Sequence, residues 1–184
     1  MNADQRTLIR STCAFRTPWL AVREEVIEEG GKLSTWHYLD QPPCALVVPV
    51  TEDGRVALIR VWRNSVSRWC LEAPAGRVEN GEDPVDTARR EMAEEVGGER
   101  AELHALGSAF ASTGSSNERM HLFVAHGVRL GSRRLDGEER IHLAMMGVDE
   151  AVRAALAGRI DDGPSALAVL WAHALGHLTG QADG

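Results

Sequence analysis

Residues 76–97 read GRVENGEDPVDTARREMAEEVG, and this stretch carries the strongest pattern in the chain. Glu91, Glu94 and Glu95 place three carboxylates within about one helical turn. Acidic side chains three and four residues apart share a helix face and repel each other, so helix formation gives no reason for the cluster. We infer that a cation offsets this charge, and a divalent metal ion is the simplest candidate.

The same stretch predicts the helix that carries the acids. Asp83 can cap it, Pro84 suits the first helical position, and Gly97 ends it. Apolar residues recur between these ends at helical spacing: Val85, Ala88, Met92 and Val96. The acids lie beside this stripe on a helical projection. One side of the helix is therefore expected to pack on a sheet, while the neighbouring side presents carboxylates to a cleft.

The spacing fits a longer frame, G-x5-E-x7-R-E-U-x-E-E-x-G, in which U is an apolar residue. The fixed positions are filled by Gly76, Glu82, Arg90, Glu91, Glu94, Glu95 and Gly97, with Met92 at U. This frame resembles the Nudix box, so the chain is similar to the Nudix hydrolases. One position departs from the pattern, because Gly98 stands where an aliphatic residue is usual. We expect this glycine to loosen the packing behind the helix.

The resemblance implies a metal site and its ligands. Box glutamates carry the metals in Nudix enzymes, so Glu91 and Glu95 are the expected main ligands, with Glu94 as the third. The carbonyl of Ala75 completes the coordination by resemblance. Hard oxygen ligands without an accompanying cysteine site favour Mg²⁺, with Mn²⁺ as a substitute. Such ions clamp a pyrophosphate, neutralise its charge and activate a water for in-line attack on phosphorus.

Other charged residues are candidates for supporting roles in catalysis. Arg90 can pair with Glu94 four residues later and hold the acids in place. Glu82 is a candidate outer ligand or orienting acid. In the ADP-ribose pyrophosphatase branch of the family, which this chain resembles, a glutamate on a loop after the hairpin strand often acts as the general base. Glu139 aligns best with that glutamate, and Glu138 is the next candidate. As alternatives, the box glutamates form a solvated acidic helix face, and the stretch that contains Glu138 and Glu139 is a polar turn.

Residues around the box resemble one branch of the family. Residues 71–76, LEAPAG, resemble the E-x-P-A-G lead-in of the ADP-ribose pyrophosphatases, and residues 19–24, WLAVRE, resemble the N-terminal region of that branch. In the branch, extra N-terminal strands pack across a homodimer, and each subunit helps to build its partner's nucleotide pocket. The resemblance thus implies a homodimer formed through the N-terminal strands. Arg63, at a basic strand end, is the candidate for binding substrate oxygens.

Two tryptophans are candidates for contacts with the substrate's base. In some members of the branch a pair of N-terminal tryptophans sandwiches the adenine, and Trp19 and Trp36 occupy similar places. A flat aromatic face contributes roughly 1–3 kcal/mol of stacking per base in nucleic-acid complexes. The alternative is that both tryptophans pack at the dimer interface, where this residue type is enriched.

A polar stretch after the box bears on the choice of substrate. Residues 112–118, STGSSNE, fall where ADP-ribose enzymes often have S-P-G-x-x-x-E. Gly114 and Glu118 match that pattern, and Glu118 is a candidate contact for metal or substrate. Thr113 replaces the proline, which leaves room for another nucleoside diphosphate sugar such as GDP-mannose. As an alternative, Gly114 is a turn glycine and Glu118 a charge at a strand edge.

Outside the box, apolar periodicity predicts a mixed α/β fold. Apolar runs predict strands near 44–50, 56–62, 68–73, 102–110, 119–130 and 139–146. Helical spacing predicts two further helices, near 149–157 and 164–178. Strands alternating with a few helices indicate a mixed sheet between helical layers. With the family resemblance, we expect a Nudix-type α/β/α sandwich with a mixed central sheet.

The predicted domain organisation is an N-terminal extension followed by one larger domain. Residues 1–42 form the extension, with a β-hairpin around a turn at Gly30-Gly31, and residues 43–184 form the Nudix hydrolase domain. The extension is expected to serve dimerisation and the substrate pocket. Residues 1–16 show no clear periodicity, so we expect part of them to be disordered.

Composition restricts the class of protein. The chain has 184 residues and a formal net charge of −7, which argues against non-specific nucleic-acid binding. Its three scattered cysteines are typical of free thiols in a reducing cytosol, and no apolar stretch reaches membrane-spanning length. The seven histidines form no recognisable ligand set, and His173 and His177 lack a third ligand. We expect a cytoplasmic protein without nucleic-acid or membrane partners.

These observations lead to one main functional hypothesis and two alternatives. The first is Mg²⁺-dependent hydrolysis of the pyrophosphate bond of ADP-ribose or a related nucleoside diphosphate sugar, giving a nucleoside monophosphate and a sugar phosphate. Within the same chemistry, the substrate could instead be GDP-mannose or another nucleotide, including an oxidised one. A different class is a non-catalytic module that senses a nucleotide sugar. Such modules commonly lose box acids, and here the acids are all present.

Overall fold

The computed structural model of the protein describes residues 6–134 and 140–179. Its chain divides into two compact units. The first unit contains the described residues up to Pro43 together with Phe110–Arg119, and the second contains Cys44–Ala109 and the described residues from Met120 onward.

The first unit is built on three antiparallel strands, β1 (Arg6–Arg16), β2 (Ala21–Glu29) and β3 (Lys32–Asp40). The turn between β2 and β3 lies at Gly30 and Gly31, as predicted, and both have positive φ (58° and 79°), a conformation that favours glycine. The sequence predicts no strand within residues 1–16, whereas Arg6–Arg16 form β1; residues 1–5 lie outside the described residues. The predicted hairpin is present as β2 and β3, and β1 adds a third strand to it.

Strand β1 lacks apolar periodicity because every one of its residues is exposed, so neither face selects an apolar residue type. Backbone pairing with β2 runs along its whole length, from Arg6 opposite Glu29 to Arg16 opposite Ala21. Charged cross-strand pairs add to it, with Arg6 3.2 Å from Glu29. A strand formed in this way leaves no alternating pattern in the sequence.

The second unit contains a mixed sheet. Its strands are β4 (Cys44–Thr51), β5 (Arg55–Arg63), β6 (Arg68–Glu72), β7 (Ala75–Arg77), β8 (Gly98–Glu99), β9 (Glu102–Phe110), β10 (Arg119–Leu130) and β11 (Ile141–Gly147). The central path runs β11-β5-β4-β10-β8, while β6 pairs with β5, β7 with β4 and β9 with β10. Strands β4 and β10 are parallel, whereas β5 is antiparallel to β4, β6 and β11. The predicted mixed sheet is confirmed.

Helices cover both faces of this sheet in the described chain: α1 (Pro84–Val96), α2 (Val148–Leu156) and α3 (Gly163–Ala174). Alternate residues of β4 face the two helical layers, so every position of the strand after Cys44 is buried. This explains its continuous apolar run. Ala45 and Val47 pack with α1, whereas Leu46 and Val48 pack with α2 and α3. The α/β/α sandwich is therefore confirmed. Within residues 6–134 and 140–179, the helices are too short or too polar to cross a bilayer.

Helix α1 has the predicted ends and the predicted buried stripe. Asp83 accepts a hydrogen bond from the backbone N–H of Val85 at 3.1 Å, and Gly97 adopts the left-handed conformation with φ 70°. The apolar residues Ala88, Met92 and Val96 of the stripe are almost fully buried. These contacts fix the rotation of α1 about its axis and hence the direction in which its glutamates point.

Gly98 does not loosen the packing behind α1, contrary to the sequence-based expectation. A Cβ built on Gly98 would lie 2.5 Å from Cγ of Met92 and 3.1 Å from Cγ1 of Val128. The long side chain of Met92 therefore occupies the volume that an aliphatic residue at position 98 would take. Methionine fills irregular gaps of this kind because it is unbranched and flexible.

Replacing Gly98 with valine is expected to lower the free energy of unfolding by about 1–3 kcal/mol, since the new side chain overpacks the site. Urea denaturation of both proteins measures this change. The double change Gly98→Val with Met92→Ala should cost less than the two single changes added together, because the valine then enters vacated space. A Gly98→Val protein more stable than the parent would instead indicate slack packing behind α1.

Candidate active site

The predicted site begins where strand β7 runs beside α1. Glu95 is buried, with 7% of its surface exposed, and its Oε2 accepts a hydrogen bond from the backbone N–H of Ala75 at 3.0 Å. Buried carboxylates need such partners, because burying an ion without them is costly. The bond brings together two of the predicted metal ligands, the Glu95 side chain and the Ala75 backbone.

Gly76 shows why the frame begins with a glycine. A Cβ at this position would lie 1.8 Å from Oε1 of Glu91 and 2.2 Å from its Cδ. The Glu91 carboxylate thus rests directly on the β7 backbone, in space that any side chain would fill. Glycine is required here for close approach and not for an unusual backbone angle.

Arg90 draws the remaining acids of the frame around one guanidinium group. Its Nη1 donates to Glu91 Oε1 at 2.6 Å and to Glu94 Oε2 at 3.2 Å, and its Nε donates to Glu82 Oε1 at 3.3 Å. Nη2 donates to the backbone carbonyl of Arg77 at 3.3 Å. The predicted pairing of Arg90 with Glu94 is present in this arrangement.

This network favours the charged forms of Glu82 and Arg90. Hydrogen bonding from Arg90, aided by the backbone N–H of Glu79, lowers the pKa of Glu82 to about 2. The bond to Glu82, followed by that to Glu91, raises the pKa of Arg90 further above its usual range against the effect of partial burial.

The oxygen atoms of the box glutamates and the carbonyl of Ala75 are chemically suited to a divalent ion. In this structure Arg90 determines how several of the carboxylates are arranged. Among the described residues, no three His, Cys, Asp or Glu side chains already stand in a metal-holding arrangement. The carboxylates of Glu82, Glu91 and Glu94 nevertheless share one cationic partner, the guanidinium of Arg90. Hard carboxylate and carbonyl oxygens are the ligands that Mg²⁺ and Mn²⁺ prefer.

Arg63 is committed to a partner that sequence patterns did not reveal. Its Nε and Nη2 donate to the two carboxylate oxygens of Glu72 at 2.8 and 2.6 Å. The Glu72 side chain is only 7% exposed, and this pairing raises the pKa of Arg63. Glu72 is the acid of the E-x-P-A-G lead-in, so the motif itself was the available signal. Arg63 can therefore meet a substrate only with its remaining N–H groups or by competing with Glu72.

A cavity of about 550 Å³ adjoins Glu95 and Ala75. Arg63 and Arg140 both line it, and Arg140 was not among the candidates from sequence because it belongs to no motif. Small-molecule sites typically have volumes of roughly 300–1,000 Å³. One acid, Glu95, and two arginines therefore line the same cavity, and arginine side chains are suited to binding phosphate oxygens.

Comparison with known proteins identifies the family. The NUDIX domain model matches residues 40–166, which is more than half of the chain and includes α1 and its acids. The chain belongs to the Nudix family. Nudix hydrolases generally use divalent metal ions, in agreement with the oxygen donors around Arg90.

Individual relatives agree with this assignment. The chain is 31% identical over 148 residues to the methanol dehydrogenase activator of Bacillus methanolicus. This alignment covers 79% of this chain and 80% of that protein. It is 28% identical over 148 residues to the ADP-ribose pyrophosphatase of Bacillus subtilis strain 168, with the same coverage of both chains. The crystal structure of an ADP compounds hydrolase matches the fold with a TM-score of 0.79 at 17% identity, covering 95% of this chain and 96% of that one. The protein is thus a Nudix hydrolase that resembles ADP-ribose pyrophosphatases.

Other predicted site residues lie in the first unit of this Nudix hydrolase or outside the described residues. Trp19 and Trp36 are 73% and 53% exposed, and the Arg6 guanidinium lies over the Trp36 ring at 5.7 Å from its centroid. Gly114 and Glu118 belong to the same unit, in its Phe110–Arg119 segment. Glu138 and Glu139 lie outside the described residues, so the identity of the general base stays a prediction.

The histidines of this Nudix hydrolase include a cluster that sequence spacing does not reveal. The rings of His104, His126 and His177 lie 5.2–5.5 Å apart, with His126 Nε2 3.3 Å from His177 Nδ1. Burial, followed by the charges of His177 and His104, lowers the pKa of His126. Nδ1 of His173 lies 2.9 Å from the carbonyl oxygen of Leu178. His173 and His177 therefore have different partners.

Proposed function

We propose that this Nudix hydrolase cleaves the pyrophosphate bond of ADP-ribose or a related nucleoside diphosphate sugar with the help of Mg²⁺. The products are a nucleoside monophosphate and a sugar phosphate. The observation that carries the proposal is the joining of the box glutamates, the β7 backbone and an arginine-lined cavity. The similarity to an ADP-ribose pyrophosphatase supports the choice of substrate class.

In this proposal Glu91, Glu94, Glu95 and the carbonyl of Ala75 hold the metal. When bound, the ion neutralises the pyrophosphate and lowers the pKa of an attacking water. Arg90 pairs with Glu91 and Glu94 and so holds these two carboxylates close together. These residues bind and orient charge, which is most of what a phosphoryl-transfer site has to supply.

The proton of the attacking water needs an acceptor, and we assign that role to Glu139, with Glu138 next. Arg140 follows this pair directly in the chain, and its side chain lines the cavity. Arg140, together with the remaining N–H groups of Arg63, is proposed to contact phosphate oxygens. A base has to reach the proton that it removes, so contact through one water at most is required.

The N-terminal extension, residues 1–42, is proposed to form a homodimer and to complete the substrate pocket with Trp19, Trp36, Gly114 and Glu118. Leu8, Ile9 and Phe15 on β1 are each more than half exposed, which supports a partner for this sheet. A cytoplasmic location is proposed on composition, and the free Cys13, Cys44 and Cys70 suit a reducing compartment.

A substrate panel tests the proposal. Purified protein is incubated with ADP-ribose, GDP-mannose, a dinucleoside diphosphate and oxidised dGTP, each with millimolar Mg²⁺, and released phosphate is measured after phosphatase treatment. We expect the highest kcat/KM on a nucleoside diphosphate sugar. Chelation with EDTA should abolish turnover, and added Mg²⁺ or Mn²⁺ should restore it. Absence of turnover on every nucleotide sugar would overturn the proposal.

A second candidate is a regulatory role, supported by the similarity to a methanol dehydrogenase activator. A module that only binds a ligand would not need the acids of the frame. Here Glu91, Glu94 and Glu95 are all present on α1. We therefore rank hydrolysis first. Tight binding of ADP-ribose without turnover would favour the second candidate.

A further inference from the structure

Strand β6 has an outer edge that is satisfied by side chains instead of another strand. It pairs with β5 on one side. On its other side the N–H of Leu71 donates to Asp161 Oδ2 at 3.2 Å, and the N–H of Ala73 donates to Ser165 Oγ at 2.9 Å. The donors are two residues apart, so they point to the same edge. Leaving a buried N–H without an acceptor would cost about 1–3 kcal/mol.

The acceptor for Ala73 is itself held in one orientation. The hydroxyl of Ser165 donates to Asp162 Oδ2 at 2.6 Å, and the same carboxylate oxygen accepts the Ser165 backbone N–H at 2.9 Å as the cap of α3. Ser165 is fully buried. Because its proton is committed to Asp162, the hydroxyl oxygen presents a lone pair to Ala73. We call Asp161, Asp162 and Ser165 the edge clamp.

The chain held by the edge clamp leads directly into the candidate active site. The carboxylate of Glu72 pairs with Arg63, the carbonyl of Pro74 accepts the Val47 N–H at 3.0 Å, and the Ala75 N–H donates to Glu95. Pro74 has no N–H, so Ala73 supplies the last backbone donor before Ala75. Two residues span at most about 7 Å, so a displacement at Ala73 passes directly to Ala75.

We infer that Ser165, oriented by Asp162 and assisted by Asp161, is a positioning residue for the hydrolytic site. It acts through the Ala73 backbone on the Ala75 backbone and on Glu95, two of the proposed metal ligands. Ser165 itself touches no reacting atom. The inference rests on the proposed function for its kinetic effect, while its structural part concerns the backbone of residues 73–76.

Replacing Ser165 with alanine removes the acceptor for Ala73 and keeps the Asp162 cap of α3. We expect kcat to fall by about 10- to 100-fold, the range seen when groups that orient metal ligands are removed. Substrate KM should change little, and the Mg²⁺ concentration for half-maximal activity should rise. Asp162→Asn keeps an oxygen acceptor for the Ser165 hydroxyl and should therefore retain most of the activity.

The matched control is Ala168→Gly, a change one turn further along α3 at a fully buried residue outside the edge clamp. It destabilises the same helix by roughly 0.5–1 kcal/mol without removing a hydrogen bond to β6. Assayed well below its unfolding temperature, it should keep the parental kcat. Equal losses of kcat in Ser165→Ala and Ala168→Gly would overturn the inference, as would parental kcat in Ser165→Ala.

Two measurements judge the edge clamp independently of turnover. Amide hydrogen exchange of a peptide covering residues 73–76 should be faster in Ser165→Ala than in Ala168→Gly. Calorimetric titration with Mn²⁺ alone should show weaker binding in Ser165→Ala. If the parent binds Mn²⁺ but hydrolyses no substrate, the proposed function fails while these two readouts still decide the inference. Unchanged exchange and unchanged Mn²⁺ affinity would overturn it.

Discussion

Replacing Glu95 with glutamine is expected to lower kcat by at least about 100-fold while the protein stays folded. Even groups outside a metal's direct ligands cost 10- to 100-fold when they are removed, so loss of a charged ligand should cost no less. Glutamine keeps an oxygen that can accept the Ala75 N–H, so the 3.0 Å contact to β7 can persist. Steady-state kinetics and far-UV circular dichroism measure the two effects.

The matched control for this change is Glu102→Gln, which removes the same charge from a side chain that is 78% exposed on β9. That protein should hydrolyse substrate at the parental rate. Parental activity in Glu95→Gln would contradict a ligand role for this residue. A parent that binds ADP-ribose without turnover, together with an equally tight-binding Glu95→Gln protein, would favour a binding module.

Replacing Gly76 with alanine is expected to lower kcat by about 100-fold through displacement of Glu91. The new Cβ would stand 1.8 Å from the Glu91 carboxylate oxygen, so this side chain has to leave its place on the β7 backbone. A shift of about 1 Å in a catalytic group can cost about 100-fold in rate. Kinetics at saturating Mg²⁺ separate this loss from weaker ion binding.

Gly147→Ala is the control for the change at Gly76. A Cβ at Gly147 would have no atom within 4 Å, and its backbone angle is open to any residue. Activity should match that of the parent. If Gly76→Ala also kept full activity, Glu91 would not need its observed position, and its assignment as a main ligand would be wrong.

Sequence patterns predicted what depends on local signals. Helix α1 was predicted with its cap and its apolar stripe because Asp83, Gly97 and the spacing of Met92 are readable over a few turns. The buried strand β4 was predicted from its unbroken apolar run, and the layered sandwich from the alternation of strands with a few helices together with the family resemblance. In each case short-range propensity and burial favour the same structure.

Contacts between distant segments were not predictable in the same way. The pairing of Arg63 with Glu72 depends on the register of β5 against β6, which the sequence does not state. Compensation of Gly98 by Met92 depends on the direction of one flexible side chain. Strand β1 was missed because an exposed strand has no periodicity to read. The edge clamp joins residues about 90 positions apart, as the separation of Ala73 and Ser165 shows.

The guanidinium of Arg90 has a consequence for how the protein tolerates scarcity of metal. Small metal-dependent domains unfold when the ion is withdrawn, because nothing else balances their ligands. Here the guanidinium of Arg90 already offsets part of the negative charge of Glu82, Glu91 and Glu94. We therefore expect the protein to stay folded when divalent ions are withdrawn and to bind them again without refolding.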